Sequence, residues 1–111
     1  MKLVIAYIQP QQLPAVKQAL YKAGVPHMTC TNVLGTTPEA PEHQAFRGVA
    51  QDVELFQKVR LELAIQNDEL ETVTAAIVAG GRESGGHGKI FVVELKDCIE
   101  VKTGKTGADA I

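Results

Sequence analysis

The segment at residues 84–89 reads Ser-Gly-Gly-His-Gly-Lys, which is the composition of an anion-binding loop. Glycines allow backbone N–H groups to wrap around a phosphate, and Lys89 adds a positive charge. The loop precedes an apolar run at residues 90–95, whereas a Walker loop follows a strand and opens a helix with Ser or Thr after its lysine. These residues therefore predict either an anion-binding loop of another type or a flexible turn.

Two further segments could form part of a ligand or partner site. Lys102 and Lys105 lie in a polar C-terminal stretch, where a lysine is either solvated surface or a second anion contact. Residues 36–47 contain two prolines and almost no aliphatic side chain, and the long segment extends to residue 54. A segment of this length is either a partner-binding arm or a tolerated insertion.

Metal-ligating and nucleophilic residues do not form a recognisable constellation. No two of the histidines and cysteines have ligand spacing, so solvated histidines and reduced thiols are the simpler interpretation. These residues are His27, His43, His87, Cys30 and Cys98. The sequence also has no nucleophile elbow, no His-Glu-x-x-His motif and no convincing pair of acids. We therefore expect that the protein is not an enzyme.

The elements that must position these segments follow from the apolar periodicity. Residues 2–8 are apolar at both alternating sets of positions, which predicts a strand buried on both faces. Apolar residues at helical spacing follow as far as residue 23, and Gly24 ends that helix. Residues 27–35 predict a second strand that closes on a glycine.

The second half of the chain repeats this order. Residues 58–65 alternate as a third strand, and Asn67 or Asp68 can cap a second helix that Gly80 and Gly81 stop. Residues 90–95 predict a fourth strand, followed by a short last strand at residues 99–102.

Two βαβ units of similar length predict an α+β fold, a ferredoxin-like βαββαβ sandwich with both helices on one face of the sheet. The first and fourth strands are apolar on both faces, but the two helices cover only one face of the sheet. The other face therefore needs a cover. We expect another copy of the chain to supply it, which predicts a closed homo-oligomer.

Length and composition set the remaining limits. The 111 residues suit a single domain, 1–111, and the 11 Lys+Arg and 13 Asp+Glu sum to −2. This near balance argues against nucleic acid or an anionic membrane as the main partner. No apolar run is long enough to span a membrane, and residues 3–8 are too short for a signal-peptide core. We therefore expect a cytoplasmic protein without direct membrane insertion.

Several segments, taken in order, resemble the PII signal-transduction family. Residues 86–92 are similar to the family's Gly-Asp-Gly-Lys-Ile-Phe-Val signature, and Phe46-Arg47-Gly48 resembles its Tyr-Arg-Gly. The other matching segments are residues 1–10, 13–24, 28–33, 58–62, 103–104 and 108–111. The match is collinear over essentially the whole chain.

The resemblance implies a homotrimer of ferredoxin-like subunits that binds ATP, ADP or AMP in the clefts between subunits. It implies that residues 36–54 are the T-loop, which regulates target proteins such as nitrogen-metabolism enzymes and ammonium channels. Residues 82–89 correspond to the glycine-rich B-loop, and residues 100–111 to the C-terminal segment. Many members of the family also sense 2-oxoglutarate together with Mg-ATP.

The resemblance also implies a nucleotide site, residue by residue. The positions around the base and ribose are Thr29, Gly35, Glu62 and Ala64. The positions of the phosphate loop are Gly86, His87, Gly88 and Lys89, and Lys102 falls on a phosphate contact in the adjacent subunit. Lys58 matches the lysine that pairs with a 2-oxoglutarate carboxylate.

Several departures from the family indicate a divergent, PII-like member. Gln51 replaces the tyrosine that some members uridylylate, and Val49 replaces a serine that others phosphorylate, so neither position has a hydroxyl. Glu39 stands in the stretch that helps hold Mg and 2-oxoglutarate, and its charge would repel a dicarboxylate. His87 replaces an aspartate in a loop that is shortened before Gly86.

Glu100 stands where an arginine usually meets the terminal phosphates. We therefore expect ADP or AMP to be favoured over ATP. The alternative is a trimeric, metal- or bicarbonate-responsive protein of the PII-like or copper-tolerance-like kind, associated with a transporter. Glu39, Glu42 and His43 are the candidate metal-sensing residues for that alternative.

Overall fold

The structure, a computed structural model, describes residues 1–36, 45–47 and 54–111, with residues 45–47 described at the level of the backbone. The strands are β1 (Lys2–Ile8), β2 (Thr29–Gly35), β3 (Ala45–Arg47), β4 (Glu54–Ile65) and β5 (Lys89–Glu94). The helices are α1 (Leu13–Lys22) and α2 (Leu70–Arg82), and short 3-10 turns cover Pro10–Gln12, Asn67–Glu69 and Gly107–Ala110. None of the helices in these ranges is long and apolar enough to cross a membrane.

The strands form one antiparallel sheet in the order β2-β4-β1-β5, with β3 paired to β4 beside this path. β1 is therefore central, between β4 and β5, and each βαβ unit contributes one central and one edge strand. This arrangement confirms the predicted α+β, ferredoxin-like fold.

Both helices pack on the same face of the sheet, and the core lies between these two layers. Its residues on the sheet and helices include Val4, Ala6, Ile8, Val16, Leu20, Leu61, Leu63, Ile65, Val73 and Ile77. The opposite face, called the open face below, carries the alternate side chains of β1, which are only half-buried: Leu3, Ile5 and Tyr7. The single chain thus buries one face of β1. That a second copy of the chain covers the other face stays a prediction.

The two strand-to-helix junctions are built alike. The chain leaves β1 as Ile-Gln-Pro-Gln-Gln-Leu and leaves β4 as Ile-Gln-Asn-Asp-Glu-Leu. In each junction the backbone N–H of the first Gln donates to the side chain three residues later, from Gln9 to Gln12 Oε1 at 2.7 Å and from Gln66 to Glu69 Oε1 at 2.9 Å. The expectation that Asn67 or Asp68 caps α2 was therefore wrong, and Asn67 Oδ1 instead accepts a hydrogen bond from the N-terminal ammonium.

The side chain of Gln12 is fully buried and joins two elements. Its Oε1 accepts from Gln9, and its Nε2 donates to the carbonyl oxygen of Gly81 at 3.0 Å. We expect Gln12→Leu to lower the free energy of unfolding by about 2 kcal/mol, because it leaves the Gln9 N–H without its acceptor and removes one of the donors to the Gly81 carbonyl. Urea denaturation measures this, with exposed Gln11→Leu as the matched control. Equal losses from the two variants would show that the buried bonds contribute nothing.

Several predicted boundaries change in the structure. α2 runs through Gly80 and Gly81 to Arg82, so the glycines do not stop it, and residues 83–88 connect α2 to β5. β4 begins at Glu54 because its first residues pair with β3 and β2. The predicted last strand at residues 99–102 is absent from the described chain, where Ile99 makes a single bridge to Thr106.

An ion pair ties the start of β1 to the end of β5, where Lys2 Nζ contacts the carboxylate of Glu94. The hydrogen bond and positive charge of Lys2 hold the pKa of the Glu94 carboxyl below its usual range. The pair therefore contributes stability above the ordinary pKa of a glutamate, and loses it as the pH falls through the lowered pKa. The contribution is small because Glu94 is exposed.

Candidate functional site

One end of the sheet, called the loop end below, collects residues that could bind an anion. β1 and β2 finish there and β5 begins there, so Gly35, Lys58, Gly88 and Lys89 lie at the same end. Because β1 lies between them, β4, which carries Lys58, and β5, which begins at Lys89, are two strand spacings apart, about 10 Å. The topology thus brings together part of the predicted site from three distant parts of the sequence.

The glycine loop at residues 83–88 is held between α2 and β5. Gly85, Gly86 and Gly88 adopt positive φ angles of 106°, 75° and 129°, which L-residues with a side chain rarely take. The N–H of Gly86 donates to the carbonyl of Gly81 at 3.0 Å, which fixes the loop to the end of α2. His87 and Lys89 are exposed, so the loop can present a charged side chain beside its backbone N–H groups.

Gly88 is required by close packing as well as by its φ angle. A Cβ atom at this position would lie 2.6 Å from the carbonyl oxygen of Tyr7 and 3.4 Å from Cγ2 of Ile8. Real Cβ atoms do not approach a carbonyl oxygen this closely. The loop therefore reaches β1 only because residue 88 has no side chain.

Lys58 lies where β2 ends and the long segment begins. Its side chain is half-buried, and its Nζ donates to the carbonyl oxygen of Thr36 at 3.3 Å. Gly35 lies against this side chain, since a Cβ at residue 35 would be 3.6 Å from Lys58 Cδ. The ammonium is thus held at the base of residues 37–44, which lie outside the described part of the chain.

The predicted base and ribose positions lie further along the sheet. Thr29 pairs with Glu62, and Ala64 follows two residues later on β4. Glu62 forms an ion pair with Arg60 at 2.5 Å. Four residues of strand, about 13 Å, separate Glu62 from Lys58. One chain therefore holds the predicted residues in two groups, one at the loop end and one around Glu62.

Lys102 belongs to neither group, because it lies exposed in a turn after β5. The N–H of Glu100 donates to the Lys105 carbonyl at 2.8 Å, and the Gly104 N–H donates to the Glu100 carbonyl at 2.8 Å. The Thr103 hydroxyl donates to the Glu100 carboxylate at 2.5 Å. This turn fixes an acid, Glu100, close in sequence to the predicted phosphate contact.

Sequence reasoning missed an aromatic and cationic cluster on the open face. The Arg60 guanidinium lies 5.9 Å from the centre of the Tyr7 ring, and that ring meets Phe91 edge-on with centres 6.1 Å apart. These residues come from three strands, so only the strand register could have revealed the cluster. The alternation of residues along each strand predicted which face of the sheet a side chain lies on. It did not predict which residues of the other strands lie beside it.

No group of three His, Cys, Asp or Glu residues that could hold a metal ion occurs within residues 1–36 and 54–111. Cys30 is exposed, Cys98 is half-buried, and both thiols are free. The other candidate positions in the long segment lie outside the described residues, namely Glu39, Glu42, His43, Gly48, Val49 and Gln51.

Comparison with known proteins supplies a family for this geometry. The family model described as nitrogen regulatory protein P-II matches residues 1–105. The chain is similar to nitrogen regulatory protein GlnK2 of Haloferax mediterranei, with 40% identity over 111 residues that cover 99% of this chain and 90% of that protein. It is also similar to GlnK1 of Methanosarcina mazei, with 37% identity over 100% of this chain and 97% of that protein. Nitrogen regulatory protein P-II of Cereibacter sphaeroides is 37% identical over the full length of both chains.

Proposed function

Because this chain belongs to the nitrogen regulatory protein P-II family, we propose that it is a PII-type signal-transduction regulator that binds an adenine nucleotide and controls a target protein. The target would be a transporter or a metabolic enzyme, contacted through residues 36–54, and the regulator would act in the cytoplasm. Its role would be regulatory rather than enzymatic. Uridylylation would not contribute, because Gln51 has no hydroxyl group.

The observation that carries this proposal is the close approach of Gly88 to β1. It places a loop with three positive-φ glycines and Lys89 at the same end of the sheet as Lys58, which lies at the base of the long segment. Phosphate groups held by the loop would lie near the point where residues 36–54 leave the sheet. A ligand there could therefore alter which surface that segment presents to a target.

A homotrimer would reconcile the two separate groups of predicted residues. The base would lie near Thr29, Glu62 and Ala64 of one subunit, and the phosphates would lie on the glycine loop across a subunit boundary. The open face supports an association of copies, because Phe91 and Val93 on β5 remain 49% and 44% exposed in the single chain. Apolar side chains on a sheet face are normally covered.

Selection against ATP would come from Glu100. Its carboxylate is held by the Thr103 hydroxyl in the same turn as Lys102, so a negative charge would stand beside the end of the phosphate chain. Repulsion grows with the charge of the nucleotide, which favours ADP and AMP over ATP. Mg and 2-oxoglutarate would not be needed for this binding.

Calorimetric titration of the purified chain with ATP, ADP and AMP tests the proposal. We expect ADP or AMP to bind more tightly than ATP, and Glu100→Arg to improve ATP binding by about tenfold. Glu71→Gln, an exposed acid on α2, is the control and should change nothing. Tighter binding of ATP by the unaltered protein would contradict the selectivity. Failure of all three nucleotides to bind would contradict the nucleotide site itself.

A further inference from the structure

Helix α1 carries positive charge that its surroundings do not neutralise. Residues 1–38 contain no Asp or Glu, so all 13 acidic residues follow them. Lys2 is paired with Glu94, but Lys17 and Lys22 are exposed on α1 and form no ion pair in the described part of the chain. The outer side of α1 is therefore a locally basic surface on a chain whose net charge is −2.

A groove of about 470 Å³ runs along this basic side, between α1 and the segment that follows it. Its lining residues are Pro14, Lys17, Gln18, Tyr21, Pro26 and Met28. The Tyr21 side chain is 69% exposed, although the ring is large and mostly apolar. The groove thus combines an uncovered aromatic ring with an unpaired ammonium group.

The far wall of the groove is fixed by the way α1 ends. Gly24 has a φ of +83°, so the chain reverses there, and its N–H donates to the Tyr21 carbonyl at 3.0 Å. The Val25 N–H donates to the Leu20 carbonyl at 2.9 Å, and the Val25 side chain is buried in the core. These contacts hold Pro26 beside the last turn of the helix. The groove is therefore formed by the folded backbone before any ligand arrives.

We propose that this groove docks an extended, acidic segment of a partner protein, with an apolar side chain against Tyr21 and a carboxylate on Lys17. Charge complementarity selects the acidic character, because the groove is lined by Lys17 and by no acid, and Lys22 follows on the same helix. The distance from Pro14 to Tyr21 along the helix is about 10 Å, which three extended residues span. Gln18 can exchange hydrogen bonds with the backbone of such a segment.

A nucleic acid or an anionic membrane fits these features less well. Both surfaces bind through many simultaneous phosphate contacts, whereas this side of the chain offers Lys17 and Lys22. A groove with a single aromatic ring suits one inserted side chain rather than a flat lipid surface. Docking here does not require the nucleotide site, because Glu62 and Ala64 lie on the opposite, open face of the sheet.

The first test uses a fluorescein-labelled peptide, Asp-Asp-Glu-Leu-Phe-Asp-Glu-Asp, titrated with the full chain and followed by fluorescence anisotropy. A matched peptide with Asn and Gln at the acidic positions is the neutral control. We expect the acidic peptide to bind at least about tenfold more tightly. In two-dimensional NMR spectra of the full chain, the amide shifts on peptide addition should be confined to residues 14–28. Equal binding of the neutral peptide, or shifts elsewhere, would overturn the proposal.

Three exposed positions then separate specific docking from general charge attraction. Lys17→Glu and Tyr21→Ala should each weaken binding of the acidic peptide by about tenfold. Lys96→Glu makes the same charge reversal at an exposed site after β5 and should change binding less than about twofold. If Tyr21→Ala has no effect, or Lys96→Glu acts as strongly as Lys17→Glu, no docking groove exists. Binding to phosphatidylserine vesicles without binding to the peptide would assign the surface to a membrane instead.

Discussion

The variant Gly88→Ala is expected to lose about 3 kcal/mol of unfolding free energy and to lose anion binding at the glycine loop. Its φ of +129° is strained for any residue with a side chain. The added Cβ would also lie 2.6 Å from the carbonyl oxygen of Tyr7. That carbonyl belongs to the central strand β1, which is paired on both sides and cannot move without disrupting β4 or β5.

A second glycine gives the cost of a positive φ without a close contact. Gly104 also has a positive φ, +74°, but a Cβ there meets nothing within 4 Å. Gly104→Ala should therefore cost only the backbone strain, about 1 kcal/mol. Urea denaturation compares the two variants without reference to any ligand. If both lose the same stability, the approach of the loop to Tyr7 does not constrain the fold, and the position of the loop beside β1 would have to be revised.

Apolar periodicity predicted most of this fold because it reports which face of each element is covered. Leu13, Val16 and Leu20 recur at helical spacing on α1, and in the structure the side chains of Val16 and Leu20 are fully buried. Gly24 ends that helix as predicted, because its positive φ is a local property of the residue. The order of strands and helices then left few topologies, and the ferredoxin-like sheet is one of them.

The candidate site was only partly predictable, because it depends on strand register. Gly88 and Lys89 attract attention through their residue types alone, and the structure places them at the same end of the sheet as Lys58. Sequence spacing could not show that Thr29 and Glu62 lie about 13 Å from that end in the same chain. The sequence therefore does not show which of these residues could meet around one ligand, because their separation follows from the register of β2 on β4.

The glycine pair in α2 was predicted wrongly, because the low helix propensity of glycine is outweighed there by packing between the helices. Gly80 and Gly81 read as a helix stop because glycine is a poor helix former. In the structure both are buried, and α2 continues through them. At Gly80 a Cβ would lie 2.7 Å from Cα of Val16 and 2.8 Å from the Ala15 carbonyl oxygen. The residue is therefore a glycine because α1 and α2 touch there, backbone against backbone.

From this contact we expect Gly80→Ala to lower the free energy of unfolding by about 3 kcal/mol, even though alanine is the better helix former. The added methyl group meets backbone atoms of α1, which cannot rotate away as a side chain would. Relief requires the two helices to separate, and this would loosen the packing around Val16. The loss should appear in urea denaturation, and methyl NMR signals from Val16 should shift.

The neighbouring glycine is the matched control, because it is also buried on α2 but does not meet the backbone of α1. A Cβ at Gly81 would lie 3.5 Å from Nε2 of Gln12, which is an ordinary contact, and its φ is not in the left-handed region. Gly81→Ala should therefore leave stability unchanged or raise it by up to about 1 kcal/mol through helix propensity. Opposite signs at these adjacent glycines would reflect the contact of Gly80 with the backbone of α1. A gain of stability in both variants would show that the helices are not in backbone contact at Gly80.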